Sequence, residues 1–254
     1  MFATERQQQI LELLGEMRSA TVAEMSRRLY VSSATIRRDL AVLARGGLVN
    51  RSHGGAVLIE GGAAESPLYV RELQHTREKR AIAELTLPLI RPNSVVFMDS
   101  SSTVGTLIPM LAQHRGLTVI TNGLGNALLL SRHTDAKILF PEGAVSSRST
   151  SVTGGGTLQF LSRFHADLAV ISCSGLEPEA GVTDASTEQS DVKRIMLRNA
   201  TQRVLLCDSS KFGEVFLCRT CGLDEVQMLV TDRETGPEYR RYAETGGCRM
   251  IFPV

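Results

Sequence analysis

Four short runs of hydroxyl-bearing or glycine residues carry most of the chemistry in this chain: Asp99-Ser100-Ser101-Ser102-Thr103, Thr121-Asn122-Gly123, Gly143 through Ser146-Ser147-Arg148, and Asp208-Ser209-Ser210-Lys211. Each follows an apolar run, and several precede a helical pattern. Small turns at helix N-termini present free backbone N–H groups to an anion, and hydroxyls add donors. Lys211 adds a point charge, so a phosphorylated small molecule fits a cleft built this way. One such turn alone more often just caps the next helix; four along one sheet edge are harder to assign to capping. Cys218 and Cys221 have the spacing of a zinc or redox pair, yet no second Cys or His pair lies where a four-ligand zinc site needs one. They are expected to be incidental thiols, with no metal and no other cofactor.

The second chemical feature is VSSATIRRDL, Val31 to Leu40. Ile36, Leu40 and Leu43 fall at i, i+4 and i+7 and form the buried side of a helix. At about 100° per residue, Ala34, Arg38, Ala41 and Arg45 lie opposite, with Thr35 and Arg37 on the flanks. Small residues alternating with arginines suit a helix that enters a major groove, where arginine reaches guanine or phosphate. Arg38 with Thr35 is expected to read bases, Arg37 to anchor a phosphate, and Asp39, near the buried edge, to brace an arginine of this or a neighbouring helix.

An isolated Arg-Arg pair usually does no more than solvate a helix; the elements around this one change that weighting. Ile10, Leu13, Leu14 and Met17 recur at helical spacing. Thr21 and Glu24 form a capping box ahead of Val22, Met25 and Leu29. A tight turn through Tyr30-Val31-Ser32 leads to the third helix, which starts near Ser32 or Ser33 and ends at Gly46-Gly47. This is a helix-turn-helix. LVNRSHGGAVLI then supplies two short strands joined by Gly54-Gly55, the wing of a winged helix, with Arg51 and His53 near the duplex backbone. Residues 1–59 hold eight arginines, no lysine and five carboxylates, a local +3 in a chain of net charge +1. The excess is mild, but it is all arginine, the side chain suited to bidentate contacts.

EGGAAESP, residues 60–67, lacks periodicity and marks a boundary. The expected organisation is a DNA-binding domain over residues 1–58, a linker over 59–75 and a larger domain over 76–254. In the last, apolar strands alternate with helical patterns from SVVFMD to RMIFPV, which predicts an α/β Rossmann-like fold with a largely parallel sheet covered on both faces. Ligands in such sheets bind outside the carboxyl ends of the strands, where the four turns fall. At 254 residues, 43% hydrophobic and 22% charged, the chain suits one or two soluble domains. Five cysteines form no evenly spaced framework, the N-terminus lacks signal-peptide segments, and no apolar run approaches the roughly 18 residues of a membrane span. A reduced, cytoplasmic setting without membrane contact is expected.

VAEMSRRLYVSSATIRRDLAVLARGGLVNRSHGGAV resembles the N-terminal domain of the DeoR family of bacterial transcriptional regulators, in its VS-x-x-TIRRDL, glycine, basic residue and HGGA. The resemblance implies that Ser33, Thr35, Arg37 and Arg38 touch double-stranded operator DNA, with Arg51 and His53 in the wing. Glu78-Lys79, the DSSST turn, VITNG, EQSDVKR, DSSKFG and the closing VTD resemble the C-terminal effector domain of the same family, which shares its fold with ribose-phosphate isomerases. What this implies is a sensor of a phosphorylated sugar that controls a carbohydrate operon, commonly by repression. Carried residue by residue, it points to Lys79, Asp99, Ser102, Thr103, Thr121, Asn122, Glu188, Lys193, Asp208 and Lys211, beside Ser100, Gly123 and Arg148 from the turns.

Two positions depart from the family pattern: Ser101 stands where glycine is commoner, and Glu142-Gly143 where paired glycines are usual. The rival reading is an isomerase-like enzyme using Asp99, Asp208, Glu188 and Lys211 as acid/base groups. Fold analogy is a poor warrant for catalysis, and an attached DNA-binding unit favours sensing. A homo-oligomer, dimer or tetramer, is expected because one winged helix buries little DNA surface.

Overall fold

The computed structural model describes residues 3–45, 47–52, 54–58 and 66–253. The chain divides into two compact units, Met1–Thr76 and Arg77–Val254.

In the first unit, α1 (Ala3–Met17) leads into β1 (Ser19–Thr21), α2 (Val22–Leu29) and α3 (Ser33–Arg45), followed by β2 (Val49–Ser52), β3 (Gly55–Leu58) and α4 (Leu68–Leu73). Ile10, Leu14, Met25, Ile36, Leu40 and Leu43 are buried together as their helical spacing predicts. The capping box forms: the Thr21 hydroxyl accepts the Glu24 N–H, and the Glu24 carboxylate accepts the Thr21 N–H at 2.8 Å.

Three features differ from the sequence expectation. β1 adds a third strand, so the order is β1-β3-β2. Ser52 pairs with Gly55, so Gly55 lies inside β3 rather than in the turn, and Gly54 at φ +105 is the described turn residue. A Cβ on Gly55 would meet the Ala20 carbonyl oxygen at 2.5 Å, so glycine there admits β1. Third, Leu68–Leu73, expected in the linker, is helical, and its Val70 and Leu73 complete the core of this unit. Burial of that short apolar face outweighed the Gly- and Pro-rich boundary just before it. His75 at φ +51 then separates α4 from α5.

The second unit runs α5 (Thr76–Thr86), β4 (Val95–Met98), α6 (Ser102–Leu107), β5 (Thr118–Thr121), α7 (Leu124–His133), β6 (Lys137–Leu139), β7 (Val145–Ser146), β8 (Ser151–Val152), α8 (Gly155–Leu161) and β9 (Ala166–Ser172). It continues with β10 (Gly175–Glu177), β11 (Gly181–Asp184), α9 (Thr187–Arg198), β12 (Ala200–Leu206), β13 (Cys218–Cys221), β14 (Met228–Val230), α10 (Pro237–Thr245) and β15 (Arg249–Ile251). Seven strands form one sheet in the order β15-β14-β12-β9-β4-β5-β6, with every neighbouring pair parallel.

Alternation within each strand divides the core. Phe97, Ile171 and Leu205 face α8, α9 and α10, while Val96, Met98, Val170, Val204 and Leu206 face α5, α6 and α7. Both faces are therefore covered, as continuous apolar strands require. An antiparallel sheet, β10-β11-β13, and a small hairpin, β7-β8, are added to this frame. Both lack the apolar-strand signature because they consist of short polar stretches. β4 leads to β5 on one side, and the chain later returns to place β9 on the other, so the topological switch point lies between β4 and β9.

Candidate functional site

The helix with the adjacent arginines is built from its cap. The Ser32 hydroxyl accepts the Thr35 N–H at 3.2 Å and lies 2.9 Å from the Thr35 hydroxyl, so Ser32 caps the helix and Ser33 opens it. Ala34, Arg37 and Arg38 are exposed, and Ser33 and Thr35 are half-buried. Asp39 is buried; it accepts from Arg6 Nε at 2.5 Å, from Arg6 Nη2 at 3.2 Å and from Gln7 Nε2 at 3.2 Å, locking α1 to α3. Arg51 is exposed on β2. His53 lies outside the described residues. Tyr30, 95% exposed in a left-handed turn conformation between α2 and α3, was not singled out by the sequence, because a lone tyrosine in a turn has no periodic pattern.

In the larger unit the strand ends at the switch point converge on Asp99. It is fully buried, and its two oxygens accept the Ser101 N–H at 2.9 Å and the Ser172 N–H at 2.9 Å, tying the turn after β4 to the end of β9. Ser101 caps α6 by accepting the Val104 N–H, so a serine at this family-departing position serves the helix. The second turn packs closely on the first: a Cβ on Gly123 would lie 2.8 Å from Ser100 Cα, so only glycine permits that approach. Asn126 reinforces it by donating to the Asp99 carbonyl at 2.7 Å. Thr121 accepts the Gly123 N–H through its hydroxyl, and Asn122 donates to the Val152 carbonyl at 3.1 Å while its buried Oδ1 has no hydrogen-bond partner among the described residues.

Two lysines supply the positive charge. Lys193, on α9, is 2.5 Å from Asp184 Oδ1 and 3.8 Å from Asp99 Oδ2. Lys211 is 3.1 Å from Asp208 Oδ2 and donates to the Ser172 hydroxyl at 3.0 Å and to Thr103 Oγ1 at 3.5 Å. Burial is the largest single influence and works against its charge, but Asp208, by charge and hydrogen bond, together with the neighbouring Cys173 and Cys207 outweighs it and raises the pKa, so Lys211 is an ammonium throughout the physiological range. Lys79 is buried on α5, and Ser100, Ser102 and Thr103 are buried in the turn.

The structure brings Asp99, Ser100, Ser102, Thr103, Thr121, Asn122, Gly123, Lys193, Asp208 and Lys211 to one edge of the sheet. Glu188 and Arg148 are not drawn into this hydrogen-bonded cluster. Glu188 is exposed at the start of α9, where hydrogen bonds from the Ser186 hydroxyl, its own backbone N–H and the Thr187 hydroxyl hold its carboxyl below the ordinary range. The α9 residue in the cluster is Gln189, which accepts from Ser100 Oγ at 3.1 Å and donates to Ser151 Oγ at 2.7 Å. Arg148 is exposed in the turn of the β7-β8 hairpin, whose Ser149 and Ser151 are the buried members. Helical phase would have found Gln189, since Gln189, Lys193 and Met196 share one buried stripe. Glu142 is exposed.

This arrangement binds more readily than it transfers protons. Both Asp99 oxygens are occupied by backbone N–H groups, and Asp208 is held by Lys211 and the Ser210 hydroxyl. Neither carboxylate is free to act as a base, and Glu188 is elsewhere. Cys218 is half-exposed and Cys221 buried, and no group of three metal-binding side chains occurs among the described residues. Among those residues no helix is long and apolar enough to cross a membrane.

A winged helix-turn-helix with exposed arginines, joined to a parallel α/β unit with a polar cluster at its switch point, defines a DNA-binding transcriptional regulator with a sensor domain. Residues 6–61 match the DeoR-like helix-turn-helix domain, and residues 74–233 match the DeoR C terminal sensor domain. The chain is 32% identical to the HTH-type transcriptional regulator GolR of Listeria innocua over 97% of each chain. It is 30% identical to the glycerol-3-phosphate regulon repressor of Escherichia coli, covering 91% of this chain and 92% of that one. Among solved structures it is similar to ribose 5-phosphate isomerase A of Methanocaldococcus jannaschii, with a TM-score of 0.40 and 16% identity over 53% of each chain. The chain belongs to the DeoR family.

Proposed function

We propose that this regulator represses a carbohydrate operon by binding operator DNA, and that a phosphorylated sugar or related small metabolite at the switch-point cluster controls that binding. In this reading Ser33, Thr35, Arg37 and Arg38 of α3 enter a major groove, and Arg51 and His53 of the wing lie along the backbone. The protein works in the cytoplasm as a homo-oligomer, dimer or tetramer, so that two α3 helices meet two half-sites.

The observation that carries the effector reading is Asp99 tying the Ser100–Thr103 turn to Ser172, which gathers hydroxyls and the Lys211 ammonium at the switch point. Such a set of donors suits phosphate and sugar hydroxyl oxygens. The regulon named for one relative concerns a small phosphorylated polyol, which supports the same ligand class. Lys79, Asp99, Thr121, Asn122, Gly123, Lys193 and Asp208 shape the pocket in this reading, together with Gln189, while Glu188 is exposed outside the cluster.

The control is linkage: a metabolite that binds the two DNA-affinity states unequally shifts operator occupancy, and DNA shifts metabolite affinity by the same factor. The test is fluorescence anisotropy on duplexes from the protein's own upstream region, titrated with pentose, hexose and triose phosphates. One of them is expected to change affinity about tenfold, equivalent to about 1.4 kcal/mol of coupling. Insensitivity to all of them overturns the effector reading, and turnover of any of them revives the isomerase alternative.

A further inference from the structure

Beneath the Asp208–Lys211 turn, two thiols sit on neighbouring strands. β9 and β12 run in parallel with Ser172 opposite Leu206, so Cys173 and Cys207 are the next residues of the same register. Directly paired residues on adjacent parallel strands have Cα atoms about 4.8 Å apart, inside the roughly 4.4–6.8 Å range that a disulfide spans. The two side chains also project to the same face, since both belong to the core cluster with Leu176 and Leu205. Burial, and after it the neighbouring Cys173 thiol, push the Cys207 thiol pKa up while the Lys211 ammonium opposes that rise, so the three groups lie close together, and the Cys207 thiol donates to the Asp208 carbonyl at 3.7 Å. Both are buried, Cys207 fully and Cys173 with 6% of its surface exposed. Cys218 and Cys221, the pair with the redox spacing, instead lie along one strand, β13, with Cys221 in the core.

We propose that Cys173 and Cys207 form an oxidisable pair, a modification site for hydroperoxides that reports at the position of Lys211. Cys173 is the attacking thiol because it is the more accessible of the two. The thiolate sulfur takes the distal peroxide oxygen, becoming a sulfenic acid; the departing hydroxide accepts the thiol proton and leaves as water. The Cys207 sulfur then displaces hydroxide from the Cys173 sulfur, and its own proton completes a second water. In sum two thiols and one hydrogen peroxide give one disulfide and two waters, with sulfur oxidised and peroxide oxygen reduced. The bond would join the residue after Ser172, which accepts from Lys211, to the residue before Asp208, which pairs with Lys211.

The test is a thiol count on the full-length protein, denatured after the folded protein has been exposed to hydrogen peroxide. The count should fall by two from the five cysteines of the chain and recover with a reductant. Peptide mapping should recover a Cys173–Cys207 cross-link, and the C218S/C221S variant should lose two thiols as the parent does. C173S and C207S should each lose no pair. Full retention of thiols, a Cys218–Cys221 cross-link, or irreversible over-oxidation of Cys173 without a cross-link would each overturn the proposal.

Discussion

Asp39 shows what a single residue can be for. In sequence it lies near the buried edge of its helix, where a brace to an arginine of this or a neighbouring helix is expected; in the fold it is buried against Arg6 and Gln7 of α1. Asp39→Ala removes the buried carboxylate that accepts from the Arg6 guanidinium, itself only 13% exposed. Breaking a buried pair from one side costs about 3–5 kcal/mol, and the residual exposure of Arg6 reduces this to roughly 2–3 kcal/mol. Urea denaturation should record that loss, and an unchanged midpoint would refute the brace. Arg38→Ala should instead keep its stability and lose about 1–3 kcal/mol of specific DNA affinity, while Arg37→Ala should mainly flatten the salt dependence. Gly123→Ala drives a Cβ to within 2.8 Å of Ser100 Cα, so the two turns must part. The expected cost is about 1–3 kcal/mol in the same denaturation measurement.

At the level of elements, the wing depends on contacts that its hairpin pattern does not display. β3 is the central strand of three, held by β1 on one side and β2 on the other. Gly55→Ala should detach β1 from β3, lowering both the melting temperature and the DNA affinity; a variant that melts normally would show that β1 yields freely. The start of α2 gives a pH signature. Hydrogen bonds from the Thr21 N–H and then the Thr21 hydroxyl depress the Glu24 pKa. A carboxylate with a lowered folded-state pKa stabilises above its unfolded value and loses that contribution as pH falls through the folded one. The melting-temperature gap between parent and Glu24→Gln should therefore be steady above about pH 5 and close below it. A gap independent of pH would remove the charged capping box.

For the whole molecule, a duplex carrying two half-sites should bind far more tightly than one carrying a single half-site, with a steeper salt dependence, because twice the phosphates are contacted. Equal affinity for both duplexes would argue for a monomer on DNA. The plan of the molecule was open to sequence reading wherever burial repeats with a period. Ile36, Leu40 and Leu43 announced α3, and apolar runs such as Val95–Met98 and Val204–Leu206 announced the seven parallel strands. The turns after those strands could be placed at one sheet edge for the same reason: parallel strands put their carboxyl ends together. What the chain alone determined was therefore the periodic core, the caps and the chemistry of the turns. Helical phase alone marks Gln189 as buried, but only the tertiary structure decided that its partner is Ser100, that β1 belongs to the wing, and that α4 completes the first core. These rest on contacts between residues far apart in sequence, such as Ser100 with Gln189 or Ala20 with Ala56, and no local spacing encodes the partner across such a distance.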